Sequence, residues 1–331
     1  MNRQRISVAM CTYNGARFLP EQLESITMQT RLPDELVICD DQSTDESAEI
    51  IKAFLPHAPF AVRLEVNESN RGSTKNFEKA IGLCQGEIIA LADQDDVWCP
   101  QKLELIEQAF QHWPNVAAIF TDAELIDERS NLLNCTLWDS FSFTGREQSR
   151  FESGHALEVL LKHLTVTGAT MAFREKYRSL VLPFPANQIH DCWISFLLAS
   201  VSEIKLIKRP TIRYRHHTGQ QCGLRQRETF REQVVSSTQT DPRSYLPELN
   251  QLKQICERLT ERAVVFPCHK NALWLIREKI RHRQFRAAPP RSKISCLLIV
   301  LRELVTLRYW RYSKGIRSAA KDLFVSLIPQ T

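Results

Sequence analysis

The chain has 331 residues, of which 43% are hydrophobic and 24% are charged, and this composition excludes an intrinsically disordered protein. The formal net charge is +5, yet residues 225–331 carry 21 Lys and Arg against 9 Asp and Glu, so the preceding residues are net acidic. This division predicts a cation as partner for the first part and an anionic surface or partner for the second, unless the basic residues only form a solvated helical face.

Strand-like and helix-like segments alternate from residue 5 to about residue 122. This alternation predicts an α/β fold, with a mostly parallel sheet and helices on both of its faces. Strands are predicted at Ile6–Cys11, Leu36–Cys39, Val62–Val66, Ile88–Ala92 and Val116–Thr121. Helices are predicted at Phe18–Gln29, Asp45–Phe54, Ser73–Leu83 and Pro100–Trp113. Ligands of such sheets bind beyond the carboxyl ends of the strands.

The pattern is less regular between residues 123 and 217, and after about Thr218 it becomes purely helical. In the irregular part we predict a hairpin at Leu125–Leu133, a helix at Phe151–Leu164, a strand at Thr167–Phe173, a helix at Ile189–Ser200 and a strand at Ile204–Tyr214. The later helices are predicted at Glu228–Ser237, Glu248–Ala263, His269–Gln284 and Lys293–Leu327. We therefore expect an α/β domain over residues 1–220 and a basic helical extension over residues 221–331.

The location of the protein is predicted from its cysteines and its apolar segments. Ten cysteines occur singly, without the spacing of a zinc site or a redox pair. The first residues lead into a strand without the apolar core of a signal peptide, and the most apolar stretch, Ile294–Leu301, is too short to cross a bilayer. We expect a reduced, cytoplasmic protein that at most rests on the cytoplasmic face of the inner membrane.

Polar residues follow three of the predicted parallel strands. They are Cys11–Gly15, Asp40–Ser43 and Asp93–Asp96. Carboxylates that converge on one sheet edge repel each other unless a cation or hydrogen-bond donors compensate them. Mg²⁺ or Mn²⁺ would do so and would keep open positions for substrate phosphates, and alternate residues of an Asp-x-Asp motif face the same side. For this motif alone, an Asp-rich turn before a helix is the alternative.

These segments resemble the family 2 glycosyltransferases of the GT-A fold, over about residues 5–217. The matching segments are Ile6–Gly15, Glu35–Asp45, Asn70–Gly72 and Asp93–Trp98. Three further segments resemble the bacterial rhamnosyltransferase-like branch: His190–Trp193, Tyr214–His217 and Tyr309–Gly315. The resemblance implies a metal-dependent transferase that uses a nucleotide-sugar donor and a glycan or lipid-linked acceptor in bacterial surface polysaccharide (O-antigen) synthesis. It also divides residues 1–220 into a donor half up to about residue 122 and an acceptor half after it.

The resemblance implies roles for residues in the donor half. Tyr13 and Asp40 would hold the base of the donor, with Cys11 nearby, and Asp93 would contact the ribose. Lys75 is a candidate for the diphosphate, and a solvent-facing lysine is the alternative reading of that position.

Asp95 would bind the metal ion, and His217 would supply another contact to the metal or the diphosphate. Asp96 is expected to cap or orient the loop. A histidine on a loop is also commonly just exposed to solvent.

An inverting sugar transfer needs one general base for the acceptor hydroxyl, because a metal can stabilise the leaving diphosphate. The resemblance places Asp191 in this role; a helix-capping Asp is the alternative. His190 is predicted to orient Asp191 or to contact the acceptor. Trp193 is predicted to floor the acceptor site or to join the core, and Gly168 to let the backbone approach the sugar or simply to form a turn.

The last part of the chain carries an apolar stripe at helical spacing, with interleaved basic residues. The stripe consists of Ile294, Leu297, Leu298, Leu301, Leu304 and Val305, and it is followed by the aromatic residues Tyr309, Trp310 and Tyr312. Such a helix can lie on an anionic membrane leaflet, or it can pack on its own catalytic domain or across a homodimer. The sequence leaves these alternatives open, and no nucleic-acid partner is expected.

Two other functions compete with inverting glycosyl transfer, for which rhamnose from dTDP-rhamnose is the favoured case. A nucleotidyltransferase of similar fold would normally carry a glycine-rich basic loop after the first strand, where this chain has only Gly15 and Arg17. A non-catalytic carbohydrate-binding or scaffold protein would retain the fold without chemistry.

Overall fold

The structure is a computed structural model that describes residues 3–218, 220, 242–290 and 292–327. The described residues form two compact units. The first contains the chain up to Gly154 and residues from Thr165 to the end of the last strand. The second contains His155–Leu164 and the helices after residue 242.

The described part of the first unit contains nine strands, which form a single sheet. They are β1 Ile6–Thr12, β2 Glu35–Asp40, β3 Ala61–Val66, β4 Ile88–Asp93, β5 Val97–Trp98, β6 Ala118–Ile126, β7 Leu132–Thr136, β8 Met171–Arg174 and β9 Ile204–Arg215. The strand order is β3-β2-β1-β4-β8-β6-β9-β5, and β7 pairs with β6.

Helices connect and follow these strands. They are α1 Leu19–Thr27, α2 Ser47–Phe54, α3 Ser73–Leu83, α4 Lys102–His112, α5 Leu137–Ser140, α6 Gly145–Arg150, α7 Ala156–Lys162, α8 Arg178–Val181, α9 His190–Val201, α10 Leu246–Glu261, α11 Ala272–Ala287, α12 Lys293–Val305, α13 Arg308–Tyr312 and α14 Ile316–Leu327. Of these, α7 and α10–α14 belong to the second unit.

The first four long strands pair in parallel, as the alternation of strands and helices predicted. All seven residues of β1 are buried, because parallel strands with helices on both faces are enclosed from both sides. The edge strand β3 is half exposed. In this register Cys11 lies opposite Asp93, and Thr12 lies opposite Asp40. The polar segments that follow the strands therefore meet at one edge of the sheet, and the predicted α/β class is confirmed.

The second half of the sheet departs from simple alternation. Strand β8 comes late in the chain but lies between β4 and β6, antiparallel to both. The predicted strand at Thr167–Phe173 begins instead as a 3₁₀ turn at Gly168–Thr170 and becomes β8 only afterwards. The predicted hairpin is confirmed as the β6–β7 pair. The inserted strand brings residues near 168 next to the carboxyl end of β4.

Two predicted helices are interrupted, and the breaks occur at residues with positive φ. Gly154, at φ +86°, separates a π-helical turn from α7 within the predicted helix at Phe151–Leu164. Leu307 and Gly315, at φ +58° and +63°, divide the predicted tail helix into α12, α13 and α14. The predicted helix at Glu228–Ser237 lies outside the described residues.

The helices of the second unit bury apolar residues at helical spacing. In α10 these are Leu249, Leu252, Ile255 and Leu259. A further cluster is formed by Cys296, Val300, Tyr309 and Ala319. Among the helices that the structure describes, none has the length and hydropathy needed to span a membrane.

Candidate active site

Asp40 organises the loop after β2. Its carboxylate is fully buried and accepts hydrogen bonds from the Thr12 hydroxyl (2.7 Å), the Ser43 N–H (2.8 Å) and the Ser43 hydroxyl (2.6 Å). A direct contact with a nucleotide base would require these bonds to break. In this structure Asp40 fixes the loop, and its contact with the base of the donor stays a prediction.

The next carboxylate, Asp41, fixes a second loop. It accepts hydrogen bonds of 2.8 Å from the Asn67 side chain and from the N–H groups of Arg71 and Gly72. These contacts explain why the segment at residues 70–72, which matched the family pattern, accompanies the paired aspartates. Asp41 received no separate role in the sequence analysis.

Tyr13 presents its ring at the site, and the side chain of Gln94 holds its backbone. The Tyr13 N–H donates to Gln94 Oε1 (2.8 Å), and Gln94 Nε2 donates to the Tyr13 carbonyl (3.0 Å). A Cβ atom at Gly15 would lie 2.1 Å from Gln94 Oε1, so this close approach requires glycine. Tyr13 is 44% exposed, which leaves its aromatic face open to a stacking ligand, whereas Cys11 is buried and burial raises the pKa of its thiol.

Negative charge accumulates at the carboxyl end of β4. Burial, together with the neighbouring charges of Asp95 and Asp191, raises the pKa of Asp93 to about 7. Asp96 is fully buried; one oxygen accepts the Arg215 N–H at 3.1 Å, and the other has no hydrogen-bond partner within the described structure. Burial and the charges of Asp95 and Asp93 raise the pKa of Asp96 as well. The cluster is thus deficient in positive charge.

Lys102 lies beneath this cluster, in the first turn of α4. It is fully buried, its ammonium group donates to the Ala169 carbonyl at 2.6 Å, and it lies 3.8 Å from the centre of the Trp98 ring. Burial lowers its pKa to about 7, although Asp96 and Asp93 act to raise it. Lys102 therefore offsets only part of the negative charge. Its helical spacing resembled that of an ordinary surface lysine, and sequence reasoning missed it.

Asp95 pairs with His217, and their assignment as metal ligands stays a prediction. Their Oδ2 and Nε2 atoms are 2.8 Å apart, and each side chain is 15% exposed. The His217 ring also packs against Phe18, with ring centres 5.0 Å apart. The structure thus brings together two residues that are more than a hundred positions apart in sequence.

Arg215 holds this pair in place, although the sequence analysis gave it no role. It is almost fully buried at the end of β9, and its Nε donates to the Asp95 carbonyl at 2.8 Å. Its remaining nitrogens contact Glu21 (2.5 Å) and the Ser130 hydroxyl (2.9 Å), and its guanidinium stacks on Phe18. Its position in the sequence, between a predicted strand and the pair His216–His217, could have indicated a role for Arg215.

Asp191 lies in the first turn of α9. The Gly168 N–H donates to its Oδ2 at 3.2 Å. Its charge acts on Asp93, so the predicted base and the predicted donor-binding cluster are electrostatic neighbours. Its assignment as the base stays a prediction.

His190 is buried behind Asp191. Its ring stacks on Phe77, with ring centres 4.1 Å apart, and neither ring nitrogen has a hydrogen-bond partner within the described structure. Burial lowers its pKa, which favours the neutral ring. A Cβ at Gly168 would lie 2.7 Å from His190 Nε2. The close approach of this histidine thus requires glycine at position 168, and the approach of a bound sugar to Gly168 stays a prediction.

Two other residues with predicted ligand contacts, Trp193 and Lys75, contact the protein itself. Trp193 is buried in the core, where its indole N–H donates to the Val181 carbonyl at 2.8 Å, so it cannot floor an acceptor site. The Lys75 ammonium donates to the Phe184 carbonyl (2.6 Å) and pairs with Glu78 (2.7 Å). The contact of Lys75 with the diphosphate stays a prediction.

The acidic edge fits a divalent cation that uses few protein ligands. Within the described ranges no cluster of three or more His, Cys, Asp or Glu side chains is arranged to hold a metal ion. Mg²⁺ and ions like it commonly bind through one or two carboxylates together with substrate phosphates. Asp95 and His217 would be the protein ligands, and the uncompensated charge of Asp93 and Asp96 favours a cation here.

Comparison with known proteins identifies the family. The model described as glycosyl transferase family 2 matches residues 7–179, more than half of the chain. The chain belongs to glycosyl transferase family 2. The matched region includes β1–β4, the acidic segment and Gly168, whereas Asp191, Arg215 and His217 lie beyond it.

Curated relatives of this glycosyltransferase are moderately similar. An uncharacterized glycosyltransferase of Nostoc sp. is 28% identical over 216 residues, 64% of this chain and 65% of that protein. One of Methanocaldococcus jannaschii is 26% identical over 219 residues, 65% of this chain and 72% of that protein. The chain thus matches just under two thirds of the first relative.

A solved structure supports the fold. Residues 1–349 of S. aureus TarS, in complex with UDP-GlcNAc, align with a TM-score of 0.61 and 17% identity over 97% of this chain and 89% of that one. At this identity the likeness concerns the fold, and the GT-A fold predicted from the sequence is confirmed.

Proposed function

We propose that this family 2 glycosyltransferase moves a sugar, with inversion, from a nucleotide-sugar donor to a glycan or lipid-linked acceptor of a bacterial surface polysaccharide. One observation carries the proposal: Asp95 pairs with His217, Asp95 and Asp191 are electrostatic neighbours of Asp93, and the half-exposed Tyr13 is bonded through its backbone to Gln94 of the same acidic segment. This edge combines a cation site, a stacking face and an additional carboxylate.

The nucleotide-sugar donor would be bound by four side chains at this edge of the sheet. The Tyr13 ring would stack on the base of the nucleotide, and Asp93 would accept a hydrogen bond from the ribose. Asp95 and His217 would hold Mg²⁺ or Mn²⁺, which neutralises charge on the leaving diphosphate when it is bound. Arg215 keeps the Asp95 backbone in position for this task.

Asp191 would act as the general base. The Gly168 N–H fixes one of its oxygens, and a carboxylate held in this way can accept the proton of the attacking acceptor hydroxyl. A single carboxylate suffices, because the diphosphate leaves without needing a proton from an acid. His190, kept neutral by burial, would support Asp191 from behind through packing.

The identity of the sugar rests on the motifs of the rhamnosyltransferase-like branch, which favour dTDP-rhamnose. The structure gives two of these motif residues internal roles: Trp193 lies in the core, and Tyr309 is buried in the second unit. A donor screen should therefore include UDP and GDP sugars together with dTDP sugars.

The test is calorimetric binding of each nucleotide sugar with Mg²⁺, with Mn²⁺ and without metal. We expect one donor to bind with metal dependence, and Asp95→Asn and His217→Ala to weaken that binding by about 10–100-fold. Glu203→Gln serves as the control, because this carboxylate is exposed and, within the described structure, forms an ion pair with Lys205. A chain that binds no nucleotide sugar would contradict the proposal.

A nucleotide sugar that binds but is never consumed would instead favour the scaffold alternative. To detect turnover, release of nucleoside diphosphate is followed with a membrane lipid extract as the source of acceptor. Donor binding and turnover are thus tested separately.

A further inference from the structure

One face of α12 exposes a stripe of large apolar side chains. We name it the apolar face; it consists of Ile294, Leu297, Leu298, Leu301 and Val305, which are between 45% and 82% exposed. At about 100° per residue these positions fall within a sector of roughly 100°. The opposite side of the helix carries Cys296, Val300 and Glu303, which are buried. The helix is thus apolar on both sides, and within the part of the chain that the structure describes one of these sides is covered.

The exposed charges around the apolar face are all basic. Between residues 293 and 317 the exposed charged residues are Lys293, Arg302, Arg311, Lys314 and Arg317. The acidic residue of this segment, Glu303, is buried, where it forms an ion pair with Arg308 and contacts His282. Lys293 and Arg302 flank the apolar face on its two sides at helical spacing. This arrangement requires a partner that is apolar in its interior and negative at its surface.

The apolar surface continues beyond α12. Leu307, Trp310 and Ile316 are 51%, 44% and 67% exposed. The Trp310 indole packs over Gly315, where a Cβ atom would lie 3.2 Å from the ring. Tryptophan is enriched at the boundary between headgroups and acyl chains, and an apolar patch of this size on a folded protein marks an interaction surface.

The charges distinguish between the candidate occupants. A second copy of the chain, docked face to face, would bring the same row of Lys and Arg side chains against itself, with no exposed acid to compensate. An anionic bilayer satisfies both features, because acyl chains accept the Leu and Ile side chains while phosphates pair with the basic flanks. We propose that the segment from Lys293 to Arg317 docks on an anionic phospholipid bilayer, lying in its surface.

The structure sharpens the membrane alternative that the sequence left open. Leu304 packs against the buried apolar cluster that contains Cys296 and Val300. Tyr309 and Tyr312 are buried, so these three residues do not contribute to docking. Trp310 is left as the aromatic anchor of the segment. The segment shares no residue with the proposed sugar-transfer site, and docking is tested without any donor or acceptor.

The test is flotation of the full chain with vesicles of phosphatidylcholine alone and of phosphatidylcholine mixed with phosphatidylglycerol. We expect binding to the anionic vesicles that weakens as salt is raised. Leu298→Glu/Leu301→Glu and Arg311→Glu/Lys314→Glu should each reduce the bound fraction at least about tenfold, because one inserts charge into the apolar face and the other reverses the basic flank. All four positions are exposed, and circular dichroism verifies that the variants fold.

Val264→Glu/Val265→Glu is the matched control, because these valines are 97% and 67% exposed in the same unit but lie outside the segment. It should float like the unchanged protein. Flotation of Leu298→Glu/Leu301→Glu at the unchanged level would overturn the proposal, as would failure of the unchanged protein to bind anionic vesicles. A dimer in light scattering that this variant dissociates, without vesicle binding, would identify a second copy as the occupant and would also overturn it.

Discussion

Two regions of this glycosyltransferase concentrate charged side chains, and they treat charge in opposite ways. At the acidic edge of the sheet, the pKa values of Asp93 and Asp96 are raised, because burial and mutual repulsion outweigh the nearby Lys102. In the helical unit, the pKa values of Glu248 and Glu303 are lowered, because basic partners outweigh the effect of burial.

In the helical unit, buried carboxylates are paired with basic side chains. Glu303 contacts His282 at 2.8 Å and Arg308 at 2.6 Å, and Arg308 also reaches Glu278 at 2.5 Å. The network continues through a second centre, in which Asp322 pairs with Arg286 at 2.9 Å and accepts a hydrogen bond from the Tyr309 hydroxyl at 2.8 Å.

This difference separates function from architecture. Balanced buried charge holds helices in register and needs nothing from outside the chain. Unbalanced buried charge is a cost to stability, and it is retained where a ligand or cation supplies what is missing. Four variants and conditions test the contrast.

The largest effect is expected for Asp191→Asn at the acidic edge. Loss of the proposed base should lower kcat about 10²–10⁴-fold, while the Gly168 N–H can still donate to the amide oxygen and donor affinity is retained. Single-turnover kinetics together with calorimetry measure the two quantities. An unchanged kcat would remove Asp191 from the mechanism.

The helical network should respond in stability and not in chemistry. Glu303→Ala leaves His282 and Arg308 without their shared partner, and we expect the free energy of unfolding to fall by about 3–5 kcal/mol. Arg302→Ala is the control, since Arg302 approaches the same carboxylate only at 3.6 Å and its side chain is 65% exposed; it should change stability by less than about 0.5 kcal/mol. Urea denaturation checks both, and equal losses would refute the assignment.

At the acidic edge we expect a substitution that raises the free energy of unfolding instead of lowering it. Asp93→Asn removes one of several repelling charges, so the free energy of unfolding should rise by about 0.5–2 kcal/mol. The same change should weaken donor binding, because the ribose loses a charged acceptor. A decrease in stability would show that Asp93 is compensated after all, and the contrast between the two regions would fail.

The smallest effect is a pH dependence of the helical unit. Burial, with Arg286 and Arg283, lowers the pKa of His282 below its ordinary value of 6.5, although Glu303 acts to raise it. Below pH 6.5 the unfolded chain therefore binds a proton that the folded His282 does not, and stability falls with falling pH. Glu303 and Glu248 have ordinary values of 4.5 that are lowered further, so their stabilisation persists through this window. Urea denaturation at about pH 7.5 and about pH 5.5 should show a larger change for the unchanged protein than for His282→Asn.

Much of the fold followed from the sequence, because its early part obeys local rules. Hydrophobic periodicity located β1–β4 and the helices between them, and parallel pairing then required their polar ends to meet. That reasoning singled out the segments that contain Tyr13, Asp93 and Asp95, and the resemblance to a family gave these residues their roles. The resemblance to a family added Asp191 and His217, which periodicity alone could not have linked to the same edge.

Some residues make contacts that the sequence did not predict, and these differences have a common physical origin. A polar residue in a motif signals that its side chain has a partner, but the sequence does not say whether the partner is a ligand or the protein itself. Asp40 and Lys75 are engaged by internal donors and acceptors, and Trp193 is engaged by the Val181 carbonyl. Arg215 and Lys102 were missed for the converse reason, since their role depends on contacts with residues that are distant in sequence.

The inserted strand β8 and the contacts that Arg215 and His217 make with Asp95 determine whether the donor half can be separated from the rest of the protein. The acidic segment belongs by sequence to the first hundred residues, yet the side chains that restrain it come from about 120 positions later. A polypeptide that ends near residue 122 would contain every residue of the donor half and would lack the clamp on Asp95. The donor half is therefore not a transplantable nucleotide-binding module, and an engineered chimera would have to carry β8 and the end of β9 along with it.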